Sequence, residues 1–155
     1  MQLRTIALVL LAGAVSSACT PTYVSPRTGP VAQVSVSQSA LYGYHAKLMV
    51  SDPNWSRRAD ITGGIFYTYD KPVNVPAGAG LYMEIQTDKA MGAGHTYCGM
   101  RFSFLPEEGH RYVVTPSITA LDGTMCRVSV VDEATGRAPP SYERHPVPST
   151  WRPAD

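Results

Sequence analysis

From Cys98 to Phe104 the side chains alternate one by one, with Cys98, Met100, Phe102 and Phe104 apolar and Gly99, Arg101 and Ser103 between them. Successive side chains of a β-strand point to opposite faces, so a period of two marks a strand with one buried face and excludes a helix of period 3.6. The alternation returns at Leu81, Met83 and Ile85 against Tyr82, Glu84 and Gln86, and again at Cys126, Val128 and Val130 against Arg127 and Ser129. Val34 and Val36 alternate with Ser35 and Ser37, and Arg111 to Thr119 forms a further β-rich run. Turn signals separate these runs: Ala77-Gly78-Ala79-Gly80, Pro106-Glu107-Glu108-Gly109 and the hairpin pair Asp122-Gly123. Short alternating strands at such spacing specify an all-β chain, a single small antiparallel β-sandwich or barrel.

The chain begins differently. Residues Ile6 to Val15 are uninterruptedly apolar, preceded by Arg4 and followed by Ser16, Ser17 and Ala18. That order is the n-, h- and c-region of a secretory signal, and the run is too short for a spanning helix, which needs about 20 apolar residues. The stretch Val15 to Cys19 resembles the lipobox of bacterial lipoproteins, in which the cysteine is diacylated before cleavage; Ser16 stands where that family usually has Leu. The resemblance implies lipidation of Cys19 and a membrane tether, each buried methylene of the acyl chains adding about 0.8 kcal/mol. Cleavage after Ala18 by the ordinary signal peptidase is the alternative. It would leave a soluble periplasmic or secreted protein. Thr20, where an Asp would favour the inner membrane, points an anchored form to the outer membrane, facing the periplasm.

Export also bears on the cysteines. Cys98 and Cys126 lie on the apolar faces of their own strands, and an oxidising compartment favours pairing them. A reactive thiol pair would need close spacing such as C-x-x-C and a perturbing charge. A structural Cys98–Cys126 disulfide is therefore expected.

The rest of the organisation follows from composition. Residues 1–18 read as the signal peptide, with an N-terminal signal helix, and 19–30 as the lipidated cysteine and a Pro-rich flexible tether. Residues 31–137 make the β domain, and 138–155, with five prolines, a loose Pro-rich tail from which Tyr142 and Trp151 are the candidates to dock. Four local expectations complete this map. Leu41 to Val50 reads as a strand in preference to a helix with Leu41, Tyr44 and Leu48 on one stripe, because Gly43 weakens the helix and Val50 suits the strand. Asp52-Pro53 starts a short helical turn through Arg58, and Ile61 to Tyr69 reads as a strand. Asp88 to His95 reads as a flexible loop.

Chemistry is sparse. His45, His95, His110 and His145 are too dispersed for a shared metal ion, and H-E-x-x-H is absent. Gly78-Ala79-Gly80 and Gly92-Ala93-Gly94 lack the third glycine of a dinucleotide fingerprint, and neither a phosphate-binding loop nor a G-x-S-x-G elbow occurs. The formal net charge is +1, with basic residues scattered singly apart from Arg57-Arg58, so the clustered basic face of a nucleic-acid binder is missing. The sequence reads as a non-enzyme without cofactor or metal.

Leu105 to Val114 (LPEEGHRYVV), together with Cys126 to Asp132 and Thr135-Gly136, resembles the C-terminal half of small proteobacterial envelope lipoproteins of unknown function. Val75 to Gly78 weakly resembles the turn of PEGA-type β-sandwich modules. Together the two resemblances cover about a third of the chain and imply a fold and a compartment. Three functions are compatible with them. The chain is a structural or protein-interaction module of the envelope, held to the membrane by its lipid. Alternatively it is a periplasmic inhibitor or immunity protein against a cell-wall hydrolase, presenting the Asp88 to His95 loop or the Glu107 to Gly109 turn. A third reading, a ligand-binding or enzymatic domain, would use His95, His110 and the tyrosines.

Overall fold

The computed structural model describes residues 20–37, 45–61, 71–91, 94–118 and 126–148. Cys19, the apolar leader, Ile65 to Tyr69, the Asp122-Gly123 turn and Trp151 lie outside them. The described residues are all-β and form nine strands: β1 (Val31–Val36), β2 (His45–Ser51), β3 (Arg58–Asp60), β4 (Val73–Pro76), β5 (Leu81–Met91), β6 (Gly94–Phe104), β7 (Arg111–Ile118), β8 (Cys126–Asp132) and β9 (Glu143–His145). They build a four-stranded sheet in the order β4-β1-β7-β8 and a five-stranded sheet in the order β3-β2-β5-β6-β9. Every pairing is antiparallel except β1 with β7.

The alternation in the sequence sets which faces meet. Val34, Val36, Val75, Tyr112, Val114, Val128 and Val130 come from the four-stranded sheet. Leu48, Leu81, Met83, Ile85, Met100, Phe102 and Phe104 come from the other, and all join one core. Phe104 and Tyr112 meet across it with ring centroids 4.9 Å apart, within the favourable range for aromatic pairs. Cys98 of β6 and Cys126 of β8 form a disulfide with Cα atoms 6.2 Å apart. Since β6 and β8 belong to different sheets, this bond joins the two layers.

Four local expectations are corrected. Asp88 to His95 is not a loop: β5 and β6 stay in register from Leu81↔Phe104 to Met91↔Gly94, leaving two residues between the strands. Backbone pairing, once in register, carries the hairpin through polar residues that show no alternation. Asp52 does cap a turn, but no helix follows. Trp55 has φ of 60°, a left-handed conformation that stops helical propagation, and the chain enters β3 at Arg58.

The predicted tether is partly docked, because Tyr23 N–H donates to Asp60 O (2.7 Å) and Asp60 N–H to Pro21 O (2.8 Å). The predicted loose tail is likewise docked as far as it is described. Pro139 is buried, β9 pairs with β6, and Tyr142 packs on Phe102 while donating its hydroxyl to Val128 O at 2.6 Å. Aromatic burial and a sheet edge in need of a partner outweigh the high proline content.

Candidate functional site on the outer face of the five-stranded sheet

In an antiparallel sheet, directly paired residues share a face. The registers therefore place two rows across the outer face of the five-stranded sheet. One runs Arg58, Ser51, Tyr82, Ser103, Glu143; the other runs Asp60, Met49, Glu84, Arg101, His145. At their centre Glu84 is fully buried and accepts from side chains that include Arg101 Nε at 2.8 Å, Arg58 Nη1 at 3.1 Å and Gln86 Nε2 at 2.7 Å. A buried carboxylate persists only when its charge and lone pairs are matched, and two guanidiniums and an amide do so here.

The β2–β3 connection folds over this cluster. Asp52 organises it, accepting from the backbone N–H groups of Ser56 (2.7 Å) and Arg57 (3.0 Å) and from the Ser56 hydroxyl (2.6 Å). The Ser56 hydroxyl and the Arg57 N–H, which bond the charged form, hold the Asp52 carboxyl below its usual range. The turn places Trp55 at a left-handed φ that suits Gly or Asn, and a bulky residue there costs about 1–2 kcal/mol. Its ring contacts offset that cost. The Arg101 guanidinium lies 5.0 Å from the Trp55 centroid, Tyr82 meets the ring edge-on at 5.8 Å and His145 lies at 5.3 Å. His145 in turn shares a 2.8 Å hydrogen bond with Ser103. Three half-buried rings thus pack together, one of them under the Arg101 guanidinium.

A second constellation lies at the end of the four-stranded sheet. Asp132, nearly buried at the end of β8, accepts from His110 Nδ1 at 2.8 Å and from Ala134 N–H at 2.9 Å. The other ring nitrogen of His110 lies 3.7 Å from Glu107. The Asp132 hydrogen bond, helped by the charges of Asp132 and Glu107 and opposed by desolvation, holds the imidazole above the usual histidine pKa. Glu107, Tyr112, Asp132, Arg137 and Pro139 line an adjoining pocket of about 320 Å³.

Of the residues singled out in the sequence, Cys98 and Cys126 are brought together. His110 shares the second constellation with Tyr112, their rings 6.3 Å apart. His145 lies in the first. His45 and His95 pair through their backbones with Asp88 and Ala90, in β2 and β6. Among the described residues no group of three His, Cys, Asp or Glu could hold a metal ion.

Sequence reading missed Arg58, Glu84, Arg101 and Trp55 as a unit. Glu84 and Arg101 were visible on the polar faces of neighbouring predicted strands, but only the register shows that they stand opposite each other. Comparison of the chain with protein-family models, with curated proteins and with solved structures finds no match.

Proposed function

We propose that this chain is a non-enzymatic lipoprotein of the bacterial cell envelope, a small contact module held through Cys19 to the periplasmic face of the outer membrane. The observation that carries the reading is the disulfide between the two sheets, a bond that belongs to oxidising compartments, in a chain that opens with a secretory-type segment. The dense side-chain network on the outer face of the five-stranded sheet supports a binding role. Its groups are fixed by one another and by the Asp52 turn, and a contact surface held rigid loses little entropy on binding.

Metabolic labelling with palmitate tests the anchor. Label in the wild-type chain and none in Cys19→Ala is the expected result. Equal labelling of both, or recovery of the intact chain from the cytosol, would overturn it.

One observation favours the inhibitor reading as a second possibility. The exposed Glu107 to Gly109 turn is rigidly pinned, with Gly109 N–H donating to Val31 O at 2.8 Å and Glu107 N–H to the Tyr112 hydroxyl at 2.9 Å. A rigid protruding turn suits insertion into an enzyme cleft. Inhibition of a purified muramidase that is lost in Glu107→Arg would support this role, and no inhibition by the wild-type chain would remove it.

A further inference from the structure

The two sulfurs of the inter-sheet disulfide are not equivalent. Cys98 lies within β6, is 2% exposed and belongs to the core with Met100 and Phe102 of the same strand face. Cys126 opens β8 and is half-buried. The C-terminal segment Pro139–His145 crosses the seam beside it. Arg144 pairs with Phe102 and so shares its face of the sheet, and Arg144 Nη2 donates to Cys126 O at 3.4 Å. Two residues earlier, Tyr142 packs on Phe102 and donates its hydroxyl to Val128 O at 2.6 Å. One short segment thus holds the start of β8 against β6 next to the disulfide.

We propose that Cys126 is a site of thiol–disulfide exchange, the sulfur that a small thiol attacks, and that the Pro139–His145 segment is the gate that keeps the bond closed. Exchange needs a sulfur that the attacking thiolate can reach and a leaving sulfur able to carry negative charge. Cys126 meets the first requirement, because Cys98 is enclosed. Attack joins the thiolate sulfur to Cys126 Sγ and breaks the Sγ–Sγ bond, and the electron pair leaves on Cys98 Sγ, which then takes a proton. A second thiolate attacks the added sulfur and releases Cys126 as a thiolate. The protein disulfide is reduced to two thiols, and two reductant thiols are oxidised to one disulfide. With the segment closed, the second requirement fails. The Cys98 thiolate would form in apolar surroundings, which hold a thiol proton tightly and make the sulfur a slow leaving group. The Thr87 hydroxyl, on the residue paired with Cys98, donates to Cys98 O at 3.4 Å rather than to the sulfur. Lifting the segment lets water reach that sulfur, so exchange follows the open form.

The segment is built to open before the rest of the fold. β9 has three residues, and Pro146 and Pro148 beyond it bring no N–H donors, whereas β5 and β6 have eleven residues each. A short edge segment opens at a lower free energy than a long hairpin in the core. The inference goes beyond the contact-module reading and stands apart from it, since exchange is followed on the purified full chain with or without lipid. In a Cys19→Ala chain the two remaining cysteines are those of the bond, so every thiol detected comes from it.

The oxidised Cys19→Ala chain is incubated with glutathione, quenched in acid at early times and mapped by peptide mass. The expected first product carries glutathione on Cys126, with Cys98 as the free thiol. Tyr142→Phe loosens the segment while keeping its ring, and should speed the reaction about fivefold, the population change that loss of one hydrogen bond brings. The rate should also stay nearly flat across low urea, because opening a short segment exposes little surface. Glutathione found first on Cys98, or equally on both sulfurs, would overturn the assignment of the attacked sulfur. A rate unchanged in Tyr142→Phe, or one that climbs with urea in step with global unfolding, would overturn the gate.

Discussion

Reducing the Cys98–Cys126 bond tests how the two sheets are held together. The cysteines are separated by 28 positions, and a loop of that length restricts the unfolded chain by about 12 cal/mol/K on the chain-entropy relation, or about 3.6 kcal/mol at room temperature. That is roughly four-hundredfold in the folding equilibrium, and with a urea dependence of about 1.5–2 kcal/mol per molar it lowers the midpoint by about 2 M. Reduction keeps both sulfur atoms in place, so it removes the cross-link alone. The double variant Cys98→Ala, Cys126→Ala also removes buried volume at Cys98 and should lose about 1 kcal/mol more. Urea titration of oxidised, reduced and double-variant chains gives the three midpoints. Stopped-flow mixing assigns the loss: a constraint on the unfolded state slows folding once removed and leaves unfolding little changed. A reduced chain with a midpoint within about 0.5 M of the oxidised one would refute the magnitude, and faster unfolding at an unchanged folding rate would refute the cause.

Glu84→Ala strands two guanidiniums and should cost about 3 kcal/mol, the low end for breaking a buried pair because Arg58 is partly hydrated; a midpoint shift worth less than about 1 kcal/mol would show the cluster to be energetically idle. Tyr142→Phe removes the hydrogen bond to Val128 O and should lose about 1 kcal/mol by the same titration, and an unchanged midpoint would mean that water replaces it without loss. His110 is held above its ordinary pKa when folded, so its pair with Asp132 contributes stability that is complete below about pH 6.5 and fades as pH rises through the folded value. His110→Gln should flatten that alkaline-side decline in thermal melting curves, and a decline equally steep in both proteins would assign it elsewhere.

What the sequence could show followed from how local each signal was. The strands around Leu81, Met100, Val113 and Val128 were legible because one face of each is buried and period two survives in the side chains. The disulfide was legible because two such patterns each put a cysteine on the buried face. The far half of the β5–β6 hairpin was not, since backbone pairing there continues through Thr87, Asp88, Lys89 and Thr96, residues with no apolar rhythm. The outer-face cluster was further out of reach. It depends on β5 lying between β2 and β6, and on β9 joining β6 from 42 positions away in the Ser103–His145 contact. Trp55 ran against propensity outright, in a conformation that residue-by-residue preference assigns to glycine.

The C-terminal segment shows how a composition that predicts disorder can instead close a fold. A two-sheet sandwich leaves edges whose free carbonyls and N–H groups invite pairing with other chains. Here β8 is one such edge, and side chains seal it: Tyr142 donates to Val128 O and Arg144 to Cys126 O at 3.4 Å, while Asp132 N–H donates to Arg137 O at 2.9 Å. Pro139 and Pro140 have no N–H to add to a ladder, so the segment cannot lie on β8 as a strand and crosses the seam between the sheets instead. It then pairs with β6 for three residues, Glu143–His145, before Pro146 and Pro148 again remove donors. The prolines that suggested a loose tail are what keep this strap from becoming a long new edge. The strap covers the same side of the sandwich that the disulfide crosses, so covalent bond, aromatic anchor and short strand all hold the β6–β8 seam, and His145, the last residue of that strand, is thereby delivered to the ring cluster on the outer face.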